Sequence, residues 1–231
     1  SFSFWMKHMS NCIAIDGPAA SGKSTIAKRI AEKLNIAYIN TGSLYRAVAL
    51  AALRAGRDLA SIDRGFLDTL QLEYAKDAAG GYELKLNGAF PGPALRTPEV
   101  AAGASLVATR PIVRDYLLDV QRGFAGERMI VMEGRDIGTV IFPDAAFKFF
   151  VTATPEERAR RRLAQDGEAA DGATLAEVAR EIAARDKQDS ERSVAPLKPA
   201  ADAAVIDTTG LSIDEAVDTI IGRMTRQQEE K

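Results

Sequence analysis

The chain has one histidine, one cysteine and one tryptophan among 231 residues. The histidine, His8, lies in the opening stretch "SFSFWMKHMS". That stretch lacks the apolar core and small-residue cleavage site of a signal peptide, and residues 1–9 read as an expression scar ahead of a start at Met9 or Met6. With His8 set aside, no histidine base remains. This excludes Ser-His-Asp and Cys-His schemes and most zinc sites. A lone cysteine cannot form an internal disulfide; Cys12 lies in an apolar run, as a small buried hydrophobe would, and fits a reducing, cytoplasmic compartment. Charge of one sign is also missing, with 30 basic residues against 32 acidic ones, so there is no basic field to hold a nucleic-acid backbone and no nucleic-acid partner is expected. No apolar run approaches the ~20 residues needed to span a bilayer, so no membrane association is expected either.

What the chain does have is alternation. Apolar runs at about 11–16, 36–39, 129–132, 147–152 and 203–207 read as strands, and amphipathic stretches follow them directly or after a detour. This pattern predicts an α/β fold with a parallel five-stranded sheet covered by helices on both faces. Capping boxes mark three helix starts: Thr154 with Glu157, Thr174 with Glu177, and Ser212 with Glu215. The alternation breaks at about 72–95, where "LEYA", "YELKLN" and "AF" are separated by the turn signals "DAAGG" and "NG". Helices at 97–108 and 111–124 follow. The expected organisation is a core of 10–65, 111–157 and 193–231, with a small α/β insertion at 66–110. A charged, alanine-rich helical hairpin at 158–192, broken by Gly167 and Gly172, reads as a solvated surface or a mobile lid.

The most informative stretch is "GPAASGKST", residues 17–25, set between the first strand and a helical pattern. Gly17-x4-Gly22-Lys23-Ser24 has the full spacing of a phosphate-binding loop. Its glycines let the backbone approach phosphate and aim successive N–H groups inward, at the positive end of the following helix. Pro18, Ala19, Ala20, Ser21 and Thr25 complete the loop. Lys23, expected at a solvent-facing loop edge, brings a point charge to the outer phosphates, and the Ser24 hydroxyl can ligate Mg²⁺. The loop is therefore expected to hold a nucleoside triphosphate. A guanine-reading "NKxD" is absent; "DTTG" at 207–210 fits a GTPase "DxxG" but lies behind the last strand and reads as a coincidence of turn residues.

Arginine fills the rest of the candidate site. "TGSLYR" (41–46), "RPIVRDYL" (110–117), "EGRDIGT" (133–139) and "RDKQDSER" (185–192) fall at strand ends or on helices expected to face one edge of the sheet. Ligands bind outside the carboxyl ends of strands in open parallel sheets, and the guanidinium fork suits phosphate.

With these segments in view, the chain resembles bacterial cytidylate kinases, P-loop nucleoside monophosphate kinases, from Ile13 to about Met224. The likeness rests on "AIDGPAASGKST", "NTGSLYRAVALAAL", "TPEVAAGASLVATRPIVR", "EGRDIGTVIFPDA" and "RDKQDSERSVAPLKPAADAAVIDTT". It implies transfer of the γ-phosphate of ATP to CMP or dCMP, with Mg²⁺, by a cytoplasmic monomer with a nucleotide-binding insertion and a helical lid. By motif, it places the base pocket on Thr41, Ser105, Arg114 and Asp136, with Arg192 close by. It places acceptor-phosphate contacts on Arg46 and Arg135, ribose contacts on Arg185 and Asp189, and Tyr45 in the wall of the nucleoside pocket. Lys23, Arg135 and Arg192 would carry catalysis, and Arg158, Arg161 and Arg162 either close over ATP or face solvent. Two positions differ from the common pattern: Asn40 stands where relatives often carry aspartate, and Glu133 where aspartate alternates. Two rival readings stay open. One is another small-molecule kinase on the same core, of UMP/CMP, shikimate or adenylate type; the other is a nucleotide-switched binding module.

Overall fold

The computed structural model describes residues 10–126, 128–164 and 172–229. The expectations placed on residues 1–9, His8 among them, and on Gly167 lie outside these. Two compact units divide the chain: residues up to Tyr38 together with those from Glu127 onward, and Ile39–Gly126.

The first unit is built on the parallel sheet. Its strands are β1 (Ser10–Asp16), β2 (Ala37–Asn40, along which the chain leaves the unit), and, after β3 and β4 of the second unit, β5 (Ile130–Gly134), β6 (Ala145–Thr152) and β7 (Ala204–Asp207). They lie in the order β2-β5-β1-β6-β7. β1 is central, pairing Cys12 with Ile130 on one side and Ile13 with Phe147 on the other. It reads as an unbroken apolar run because it is buried throughout its inner residues. From β1 the chain turns toward β2, whereas β6 and β7 lie on the other side. Such a reversal at the carboxyl edge is where ligands sit in open α/β sheets.

Helix α1 (Lys23–Leu34) packs Ile26, Ala27 and Ile30 onto Ile13, Ile15, Phe147 and Phe149. The C-terminal helix, named α8 below (Ile213–Glu229), adds Val217 and Ile220 to the same cluster. Between β6 and β7 run α6 (Pro155–Leu163) and α7 (Leu175–Ser190), joined by a small cluster of Ala159, Val178 and Ile182.

The second unit carries α2 (Thr41–Arg54), the short α3 (Arg64–Leu67), β3 (Leu72–Lys76), β4 (Tyr82–Leu86), α4 (Pro98–Val107) and α5 (Pro111–Gly123). The expected antiparallel element is here a two-stranded hairpin, Leu72 facing Leu86 and Lys76 facing Tyr82. "AF" contributes only an isolated bridge at Ala89. The unit is wider than the insertion expected at 66–110, because the apolar face of α2 (Leu44, Val48, Leu50) and α5 residues Val113 and Leu117 share one core with Leu84, Leu86 and Val107. Asn40 caps α2, accepting from the Ser43 N–H at 3.1 Å. Asparagine and aspartate are about equal as caps, which accounts for the departure at this position.

Two of the three capping boxes form as expected. At Ser212 and Thr174 the hydroxyl and the glutamate at the third position exchange bonds with each other's backbone. At Thr154 only half forms: the Thr154 hydroxyl accepts from the Glu157 N–H, but the Thr154 N–H goes to the Thr209 hydroxyl. The Glu157 carboxylate is turned to Arg160 and Arg161 instead.

Candidate active site

The glycine loop leaves the carboxyl end of β1 and enters α1 at Lys23. Its two key glycines are required for different reasons. A Cβ on Gly17 would lie 2.0 Å from the Val151 carbonyl oxygen, so β6 passes too close for any side chain. Gly22 caps α1 at φ 86°, a left-handed conformation that L side chains resist. The Ser24 and Thr25 hydroxyls are exposed on the first turn of α1, whereas Ser21 is fully buried.

Lys23 is not at a solvent-facing edge, as the sequence suggested, but only 7% exposed, its Nζ donating to the Pro18 carbonyl at 3.0 Å. Burial pulls its ammonium down to about 7, and the positive charges of Arg135 and Arg185 act in the same direction. Glu133 and Asp189 oppose them. These four charges are the electrostatic surroundings of the lysine, and Arg135, Arg185 and Asp189 are three of the residues the sequence marked. A polyphosphate beside Lys23 would satisfy the buried cation, and a lysine has two further protons to give after Pro18.

Asp189 bridges two of the marked arginines: Arg135 Nε donates to it at 2.8 Å and Arg192 at 2.9 Å. All three side chains are under a fifth exposed, so the guanidinium groups are held in place. Glu133, at the end of β5, accepts from the Tyr38 hydroxyl at 2.8 Å. Asp136 is buried at the start of the turn Ile137–Ile141. Within the second unit, the Arg114 guanidinium lies 5.9 Å from the centre of the Tyr45 ring and donates to the Ala108 carbonyl. Arg46 reaches the Leu95 carbonyl, Ser105 the Ala101 carbonyl, and Thr41 is buried at the first turn of α2.

Sequence reasoning missed one carboxylate. Asp16, the last residue of β1, accepts from the Ile137 and Gly138 N–H groups, both at 2.8 Å. It thereby ties the strand that launches the glycine loop to the turn that follows Arg135 and Asp136. The signal was an acid closing an otherwise apolar strand. Burial pushes its carboxyl up to about 7, the two backbone bonds pull it down, and the charge of Asp136 pushes it up again. The folded protein therefore holds this proton more tightly than the unfolded chain. Asp16 contributes most to stability below its ordinary value near 4, and that contribution is lost as pH rises to about 7. Urea unfolding between pH 4 and 8 is expected to show Asp16→Asn flattening this decline by up to about 4 kcal/mol. Parallel curves for the variant and the wild type would contradict it.

Arg158 and Arg161 are not the solvated helix face that the sequence allowed. Arg158 is 6% exposed, pairs with Asp186 at 2.6 Å and donates to the Ala19 carbonyl at 3.2 Å. Arg161 donates to the Ser21 carbonyl at 3.2 Å. Both hold the outer side of the glycine loop.

A parallel sheet in this order, with a phosphate-binding loop off its central strand, defines the P-loop phosphotransferase class. The family model for cytidylate kinase matches residues 13–226. Cytidylate kinase of Desulfitobacterium hafniense is 46% identical over 209 residues, covering 90% of each chain. That of Pseudomonas syringae pv. tomato is 43% identical over 222 residues, covering 95% of this chain and 97% of its own. The chain belongs to the cytidylate kinase family. A crystal structure of an uncharacterized protein from Eubacterium ventriosum shares the fold, with a TM-score of 0.54 at 15% identity over 93% of this chain and 98% of that one.

Proposed function

We propose that the protein transfers the γ-phosphate of ATP to CMP or dCMP, giving ADP and CDP or dCDP. The observation that carries this reading is the buried Lys23, drawn in against the loop carbonyl of Pro18 and surrounded by Arg135 and Arg185. A cation desolvated in this way is suited to an anionic partner at the same place. Residues 17–25 hold the triphosphate. Thr41, Tyr45, Arg46, Ser105, Arg114, Arg135, Asp136, Arg185, Asp189 and Arg192 are the proposed contacts to the nucleoside monophosphate.

The acceptor phosphate is mostly dianionic at pH 7, since the second pKa of such monoesters is ~6. An ionised nucleophile needs no general base, so the chemistry requires no histidine. What remains is to align two anions and to spread charge in a loose, in-line transition state. Lys23, Arg135 and Arg192 supply that charge from fixed positions, and Asp189 sets the spacing of the two arginines. The donor set fits Mg²⁺: Ser24, exposed on the first turn of α1, offers a hard hydroxyl oxygen beside the loop that holds the phosphates. When bound, the ion supplies further neutralisation of the β- and γ-phosphates.

No helix among the described residues is long and apolar enough to cross a membrane. We place the enzyme in the cytoplasm as a monomer, a state that sedimentation would check. Residues 158–192 form the proposed lid, with Arg161 of this stretch tied to the glycine loop. Hydrogen exchange in α7 is expected to slow with CMP and a non-hydrolysable ATP analogue together, and unchanged exchange would remove the lid assignment. The acceptor itself is tested by a panel of CMP, dCMP, UMP and AMP with ATP. Both cytosine nucleotides are expected to be far better than the others, and a preference for UMP or AMP would move the protein to another acceptor.

A further inference from the structure

The "DTTG" stretch at 207–210 has no part in the chemistry described so far. In the structure it closes β7 and brings Thr208, only 2% exposed, against the outer side of the glycine loop. The Thr208 Oγ1 accepts from Arg161 at 2.9 Å and lies within bonding distance of two carbonyls, Ser21 at 3.3 Å and Thr152 at 3.0 Å. The Thr208 carbonyl accepts from the second nitrogen of Arg161 at 2.8 Å, and the Arg161 Nε goes to Glu157 at 3.0 Å. The Arg161 guanidinium is thus held from several sides, which leaves it one fixed way to meet the Ser21 carbonyl.

That contact sets the direction of an N–H group. In a trans peptide the carbonyl of one residue and the N–H of the next share a plane and point opposite ways. A Ser21 carbonyl drawn outward to Arg161 and Thr208 turns the Gly22 N–H inward. Arg158, locked by Asp186 and the Ala153 carbonyl, does the same through Ala19 for the Ala20 N–H. Ala20 and Gly22 are the two loop residues with left-handed backbone after Gly17, at φ 56° and 86°; the glycine adopts it freely, so the direction of its N–H is set by what holds the preceding carbonyl.

We propose that Thr208 is a positioning residue for the triphosphate loop, acting through Arg161 on the peptide plane between Ser21 and Gly22. At 2% exposure Thr208 is shielded from a bound nucleotide, so its effect reaches the substrate only through the loop. The inference rests on the reading of residues 17–25 as the ATP site.

The test compares the wild type with Thr208→Val, which keeps the branched shape and removes the hydroxyl, and with Thr208→Ser, which restores it. Steady-state kinetics would be run with ATP and CMP varied separately, beside thermal melting of each protein. Thr208→Val is expected to raise the KM for ATP about tenfold, on the scale of a small misplacement of binding groups, with the KM for CMP within twofold. Thr208→Ser should return the KM for ATP to within twofold of wild type. An unchanged KM for ATP in Thr208→Val would overturn the proposal. So would equal rises for ATP and CMP, which would mark a general loosening of the fold, or a failure of serine to rescue. Should the valine variant not fold, Thr208→Ala is read against the same criteria. A wild type with no ATP-to-CMP transfer would instead overturn the function, so the two failures are distinguishable.

Discussion

Lys23→Ala is expected to lower kcat by ~10³-fold or more, the scale for losing a preorganised charge aimed at a transferring group. The fold should survive, for a reason that only the structure supplies. Lys23 is 7% exposed and its ammonium is desolvated, so the native state carries an unfavourable buried cation before any phosphate arrives. Removing that cation relieves the protein of a strained feature. Lys23→Met, which retains the apolar stem, is therefore expected to melt at or above the wild-type temperature, by a shift of a few degrees, while remaining as inactive as the alanine variant. Stability and activity would move in opposite directions, as they do where a site is built for a charged ligand. A Lys23→Ala protein that kept a tenth of the wild-type kcat would show that the loop does not hold the donor. A Lys23→Met protein that melted well below wild type would show that the lysine stabilises the apo loop.

The second large effect concerns the choice of base. Cytosine presents an amino donor where uracil presents a carbonyl acceptor. An ionised carboxylate only accepts, so Asp136 would welcome the amino group of cytosine and meet uracil acceptor to acceptor. Arg114 only donates, which suits the ring nitrogen of cytosine and opposes the N–H of uracil. A site whose buried polar groups are left unpaired by the wrong ligand discriminates by ~10⁴ or more. Asp136 is 7% exposed and Arg114 8%. Asp136→Asn is accordingly expected to lose CMP activity and to narrow the CMP/UMP ratio of kcat/KM by orders of magnitude, because an amide can donate to the uracil carbonyl. If Asp136 serves only to shape its loop, the rates with CMP and UMP would fall by one factor. An unchanged ratio would take it out of the base pocket.

The framework was legible because strand burial writes itself into the sequence. The runs at 11–16 and 147–152 mark β1 and β6 to within two residues, since the central β1 is buried nearly throughout and β6 buries every second residue on an otherwise apolar run broken only by Lys148. The glycine loop was legible because its spacing is dictated by phosphate. What stayed hidden was contact made across the fold. Arg158 and Arg161 look like any solvated helix face in "EERARRR", and only contact with the loop carbonyls of Ala19 and Ser21 buries the first and half-buries the second. Thr208 was passed over because its partners, Arg161, Ser21 and Thr152, are distant in sequence. Asp16 could have been suspected from its place alone, since a carboxylate closing an apolar strand must find donors. The half-formed box at Thr154 shows the same limit: the local pattern was correct, and Thr209 displaced Glu157 from one of its two bonds. The breadth of the second unit was likewise set by α2 and α5 joining its core, which a break in strand alternation does not reveal.

In the reaction proposed above, phosphate passes from ATP directly to CMP. Phosphorus NMR of the purified protein with ATP and Mg²⁺, recorded before and after addition of CMP, tests it most directly. Little change is expected before CMP, then the loss of the γ-phosphorus signal with ADP and CDP appearing in equal amounts and inorganic phosphate staying at its initial level. Inorganic phosphate released at the same rate with and without CMP, and no CDP, would contradict it and leave a nucleotide-hydrolysing switch in its place.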